Sequence, residues 1–305
     1  MRMMLYLNYI TTALEIFSAA LLASEIILVP LFCKKSRSFS FFKCFVFNGC
    51  FGLFSWAVSF QLHRFIGNDS LAYLNLNIFL SGFTFHGYLL TSMLLTFNRF
   101  SCIAFPLSFE ALWTNRRCFI YFASITLITF ISVCYRVGAP IEVVWVEEYQ
   151  AYRWIGYPRV IHAISLAVTL TICFTVCFGS LILNIWTFVR WRKHRQTVSP
   201  SIYHTQRNQF LFSMTCFVFS AIICLQQLVA NVVMFSGNQT LANVLFDMYF
   251  PLSAFAILIE PYALLVFCGG LRRELFSLFK KTAIEEVQST NASKCGAWGK
   301  WLQQN

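Results

Sequence analysis

Charge is what this sequence has least of. Only 11% of its 305 residues are Asp, Glu, Lys or Arg, against about 25% in a soluble domain. Acidic side chains number just 12, so water is not the main solvent for this chain. Lysine is missing from the interior of every apolar run, which excludes a covalently held retinal. No two of the 12 cysteines stand in a CxxC spacing, so no zinc or dithiol motif is present. The histidines and acids form no metal-binding or protease pattern either. The expectation is a protein that is not an enzyme and that carries neither metal nor cofactor. Internal repeats are absent, which counts against a transporter built from duplicated halves.

What the chain does have is apolar surface: 58% of its residues are hydrophobic and 35 are phenylalanine. Seven apolar stretches stand near 12–33, 43–65, 75–104, 118–138, 160–189, 209–235 and 243–268. Each offers the roughly 20 residues a helix needs to cross a hydrocarbon core. The predicted architecture is an all-α membrane protein, a bundle of seven transmembrane helices. Residues 1–11 form a short N-terminal segment and 12–281 the membrane domain. Within that domain 271–281, "LRRELFSLFKK", is an amphipathic juxtamembrane helix, and 282–305 is a tail. Met1-Arg2 and the following run are not a cleavable signal peptide, because the apolar core is too long and carries Glu15 and Glu25.

Basic residues set the orientation. Eighteen of the 23 lie between spans 1 and 2, 3 and 4, and 5 and 6, or after span 7. Arg2, Arg64, Arg136, Arg153 and Arg159 make up the other side. Basic residues near span ends stay cytoplasmic, so the N-terminus is expected outside. The net charge of +11 then reflects topology and contact with anionic lipid of the bilayer; a nucleic-acid partner is not implied. Two sequons, at Asn68 and Asn238, fall in outer loops and are candidate glycosylation sites.

"LLTFNRFSCIAFPLSFEALW", residues 94–113, holds the most unusual charge. Arg99 stands in an apolar run that continues through Cys102 to Phe105, followed by Pro106. At 100° per residue, Ser81, Phe85, Tyr88, Ser92 and Leu95 share its helical face, with His86 turned away. A snorkelling arginine at the membrane edge is the plain alternative, but the apolar residues beyond Arg99 favour a functional one.

These features together resemble a G-protein-coupled receptor. The string "NRFSCIAFPLSFEALW" is similar to the nematode serpentine chemoreceptors of class gamma or class V. Their "NR…FP…E..W" pattern is matched by Asn98, Arg99, Phe105, Pro106, Glu110 and Trp113. The resemblance implies a chemosensory receptor in the plasma or ciliary membrane of sensory cells, with a small-molecule ligand and a heterotrimeric G protein as partners. It also implies that Asn98, Arg99, Phe105 and Pro106 serve coupling and activation. The chain departs from rhodopsin-like receptors in four places. Asn98 stands where an acid would precede the arginine, span 6 has no proline, and Glu260-Pro261-Tyr262 replaces "NPxxY". No cysteine pair is available to tie the top of span 3 to the second outer loop.

Glu260 is thus an expected partner of Arg99 or Arg272 in activation. Pro251 and Pro261 are expected to kink span 7. The candidate ligand site is the outer third of the bundle: Trp56, Ser59 and Phe60 on span 2, Ser81 and Phe85 on span 3, Asn231 on span 6, and Asp247 and Phe250 on span 7. Aromatic walls with a few polar handles suit a small-molecule pocket. A seven-helix transporter is the alternative function.

Overall fold

A computed structural model of the chain describes residues 2–32, 39–58, 71–146, 151–194, 200–236, 239–267, 269 and 272. Seven long helices run through these residues: α1 (Arg2–Phe32), α2 (Phe39–Trp56), α3 (Leu71–Ala104), α4 (Asn115–Val133), α5 (Arg159–His194), α6 (Pro200–Phe235) and α7 (Gln239–Phe267). Each overlaps one of the seven apolar stretches. Five of them (α1, α3, α4, α5 and α6) contain a run long and apolar enough to cross a membrane, and α7 adds a shorter apolar run, Leu252–Phe267. Helix α1 begins well before the expected start, and α7 is continuous through both of its prolines. The juxtamembrane segment 271–281 lies outside the described residues except for Arg272, as does the tail.

Unlike a soluble protein, the bundle is apolar both inside and outside, with polar side chains set singly into its interior. Large apolar side chains face outward on α4 (Phe119, Leu127, Phe130, Ile131) and on α5 (Phe174, Phe178, Ile185). Asn48, Thr84, His86, Thr91, Asn98 and Glu260 are buried. Hydrocarbon solvates the first set well, while the second set needs partners inside the protein. Helix α3 is the hub. Buried residues make up 61% of its apolar stretch, against 17–28% in the other four. It packs on α2, α4, α5 and α6, while α7 closes the ring against α1, α2 and α6. That position explains why α3 is polar on several faces at once: most of its apolar stretch is enclosed by neighbouring helices.

Local chemistry accounts for the helix ends. Phe105 N–H donates to the Ser101 carbonyl at 3.0 Å. Pro106 follows with no N–H to give and ends α3. The chain then turns into a one-turn helix, Phe109–Leu112. Thr114 in extended conformation caps α4, its hydroxyl accepting from Arg117 N–H. At the other end α4 tightens into a 3-10 turn, Cys134–Arg136, and Gly138 with φ +72° releases the chain from it.

The all-helical expectation needs one correction. Strands β1 (Glu142–Val146) and β2 (Ala151–Gly156) pair antiparallel between α4 and α5, with Trp145 opposite Tyr152 and Val144 opposite Arg153. The physical reason lies in the composition of "EVVWV" and "AYRWIG". β-Branched and aromatic residues favour the pleated surface, and each segment is too short to form a span of its own. This hairpin marks one end of the bundle, and Arg99 marks the opposite one.

Candidate functional site

Helix α3 carries a column of polar side chains whose partners lie on several neighbouring helices. Nearest the hairpin, His86 Nδ1 shares a hydrogen bond with Ser132 Oγ of α4 at 2.8 Å, and its Nε2 lies 3.4 Å from Thr169 Oγ1 of α5. His86 thus does turn away from the Arg99 face, yet it is buried too, between α4 and α5. Deeper, Tyr88 donates its hydroxyl proton to Glu260 Oε1 on α7 at 2.8 Å. Asn48 of α2 donates through Nδ2 to both Glu260 oxygens, at 2.9 and 2.8 Å. Ser92 meets Ser220 at 3.2 Å and Thr96 meets Ser213 at 3.3 Å, both on α6. One helix therefore joins α2, α4, α5, α6 and α7 through hydrogen bonds that hydrocarbon cannot replace.

At the far end of that column Arg99 is only 4% exposed. Its guanidinium lies over the Phe41 ring of α2, 3.7 Å from the centroid, and Nη1 donates to Gln209 Oε1 of α6. Two expectations change here. The arginine is not a snorkelling edge residue, because its head group is inside the bundle. The Glu260 carboxylate is instead held by Asn48 and Tyr88, and Arg99 meets Phe41 and Gln209. The reason is axial: Tyr88, which holds Glu260, shares the Arg99 face of α3 but stands eleven residues, roughly 16 Å, nearer the hairpin end. Asn98, fully buried, donates to Ser40 Oγ at 3.2 Å and ties α3 to the start of α2.

The residues after α3 fold back onto it. Trp113 Nε1 donates to Ser101 Oγ at 2.7 Å, and Ser101 Oγ–H in turn donates to the Asn98 carbonyl at 2.9 Å. The Trp113 ring packs against Phe97 and Tyr121. This anchors the loop and leaves Phe105 and Leu107 on the surface, 48% and 99% exposed. Phe105, Pro106 and Leu107 therefore form an exposed apolar turn just past the end of α3.

The expected ligand residues are less coherent. Phe85 is buried, Ser81 and Trp56 are half-buried, and half-buried Asn231 directs Nδ2 to the Gln227 carbonyl of its own helix at 2.7 Å. Ser59 and Phe60 lie outside the described residues, as do the sequon asparagines Asn68 and Asn238. Asp247 and Phe250 fall on α7, with side chains outside the described set. Sequence reasoning missed Asn48, Gln209 and Ser40, each a partner of a residue it had named. A lone amide in the apolar run "FVFNGCFG" was the available signal for Asn48. Glu25 of α1 is buried to 1% exposure, and among the described residues neither of its carboxyl oxygens has a hydrogen-bond partner.

Among the described residues no group of three or more His, Cys, Asp or Glu is placed to hold a metal ion. Nine described cysteines are free thiols. No curated protein matches the chain. The profile of the Srg family chemoreceptors matches residues 9–275, which spans all seven helices together with the arginine, its cover and the tryptophan-anchored loop. The chain belongs to the Srg chemoreceptor family, the class gamma serpentine receptors, and is a multi-pass membrane protein of the G-protein-coupled receptor type.

Proposed function

We propose that this chain is a seven-span receptor with its N-terminus outside, which binds a small molecule toward the hairpin end and activates a heterotrimeric G protein at the Arg99 end. The basic asymmetry of the sequence supports that orientation. The observation that carries the coupling reading is the cover on Arg99. A guanidinium is held under Phe41 and Gln209, two residues on different helices, beside an exposed Phe105–Leu107 prominence. Gln209 is neutral, so its hold on the arginine is weaker than a carboxylate's. A ligand that separates α3 from α6 uncovers the cation next to an apolar contact surface, a combination suited to a partner protein.

The test is ligand-dependent nucleotide exchange on a G protein with receptor in lipid discs. Arg99→Ala and Pro106→Ala abolish exchange while surface level and ligand binding stay near wild type. Normal exchange by Arg99→Ala at equal surface level leaves the arginine with a structural role only.

A further inference from the structure

Arg136 sits at the hairpin end of α4 and turns inward, away from the usual course of an arginine at a span end. Its guanidinium lies directly against Gly82 of α3, a buried position. A methyl group on Gly82 would overlap Nη1 and stand 3.0 Å from Cζ and 3.3 Å from Val133 Cγ1. Nη2 donates to Ser165 Oγ of α5 at 2.9 Å, and Nε donates to Tyr135 Oη at 3.1 Å. These bonds use two of the five N–H donors a guanidinium has. Among the described residues no carboxylate pairs with it.

A structural staple between α3, α4 and α5 does not need this charge. A neutral amide could make the same two bonds without the cost of drawing an ion into a helix bundle. The two hydroxyls that accept from the guanidinium keep their own protons, which are free to be donated onward. A planar cation flanked by two hydroxyl donors is a recognition set for a pair of anionic oxygens. Beside it stands one apolar group, Val133, whose Cγ1 flanks the same Gly82.

We propose that Arg136, with Ser165 and Tyr135, is the anion-recognition point of this receptor, and that its ligands are small organic acids held through a carboxylate. This rests on the receptor reading above and adds the ligand class. It also moves the polar anchor from the α2–α3–α6–α7 side, where the sequence suggested it, to the α3–α4–α5 side. The same pair of anionic oxygens could come from the phosphate of a lipid headgroup, which the test separates.

The full chain, purified in phosphate-free maltoside, is titrated with butyrate, hexanoate, octanoate and decanoate, each beside its primary amide, with the thermal midpoint as readout. At least one acid should raise the midpoint saturably while its amide does not. Arg136→Gln should weaken that acid by about tenfold or more, the scale of one charge-assisted pair. Gly82→Ala keeps the charge but displaces the guanidinium, and it should lose the acid preference too, so it decides the matter if Arg136→Gln does not fold. No acid-over-amide preference in the wild type, or a preference kept by Gly82→Ala, overturns the proposal. So does stabilisation by phosphatidylcholine alone that Arg136→Gln abolishes, since the occupant is then a lipid. Nucleotide exchange is measured separately: acid binding without exchange refutes coupling and leaves this site standing.

Discussion

At the scale of the residue, the interior of this receptor is organised by which polar group has a partner. Asn48 links three helices, donating to both oxygens of Glu260 on α7 and accepting from Thr91 of α3 at 2.5 Å. Removing it leaves the buried Glu260 carboxyl group with the Tyr88 hydroxyl bond alone of these three, and a buried polar group that loses a partner costs about 1–3 kcal/mol. Asn48→Leu should therefore lower the thermal midpoint of the purified receptor by several degrees, whereas Asn231→Ala should shift it little. Equal midpoints for Asn48→Leu and wild type would show that Glu260 finds other acceptors or donors. Arg99 was legible from its cost in the sequence, but its partner was not. Gln209 lies 110 positions away, and no periodicity links two residues on different helices.

At the scale of the element, small residues set how closely α3 meets its neighbours. Gly87 faces the ring of Phe51 on α2, which occupies the space a Cβ would need. Close helix approach through small residues is a general device in membranes, where burial of apolar surface gives no drive between helices. Gly87→Val should push Phe51 aside or part α2 from α3, at a cost of about 1–3 kcal/mol for overpacking. The expected result is a lower midpoint and reduced surface level, and Phe51→Ala in the same chain should partly restore both. A Gly87→Val receptor of wild-type stability would mean that the ring moves freely. The loop after α3 is held by side chains in the same way, with the Trp113 indole donating to Ser101 and the Tyr121 hydroxyl to the Leu112 carbonyl. The hairpin between α4 and α5 was written in its β-branched and aromatic residues, yet the strong helical signals on either side masked it.

At the scale of the whole molecule, orientation is a matter of charge count. Eighteen basic residues on one side of the spans against five on the other predict that the 190–207 loop and the tail after Lys281 are cytoplasmic. Epitope tags at the two termini of intact expressing cells check this. The N-terminal tag should stain without permeabilisation and the C-terminal tag only after it. The opposite pattern would invert the receptor and place the Phe105–Leu107 prominence outside, where no G protein could reach it.

The sequence by itself determined the solvent and the number and place of the long helices, because apolar length and charge bias are properties of consecutive residues. It also determined that "NRFSCIAFPLSFEALW" would be a special segment, because an arginine inside an apolar run is costly wherever it lies. Only the tertiary structure decided what surrounds that arginine, that Glu260 belongs with Asn48 and Tyr88, and that Arg136 turns inward against Gly82. Those facts depend on the rotation of each helix about its axis and on which helices are neighbours. Packing of side chains from distant parts of the chain sets both, and a local pattern does not contain them.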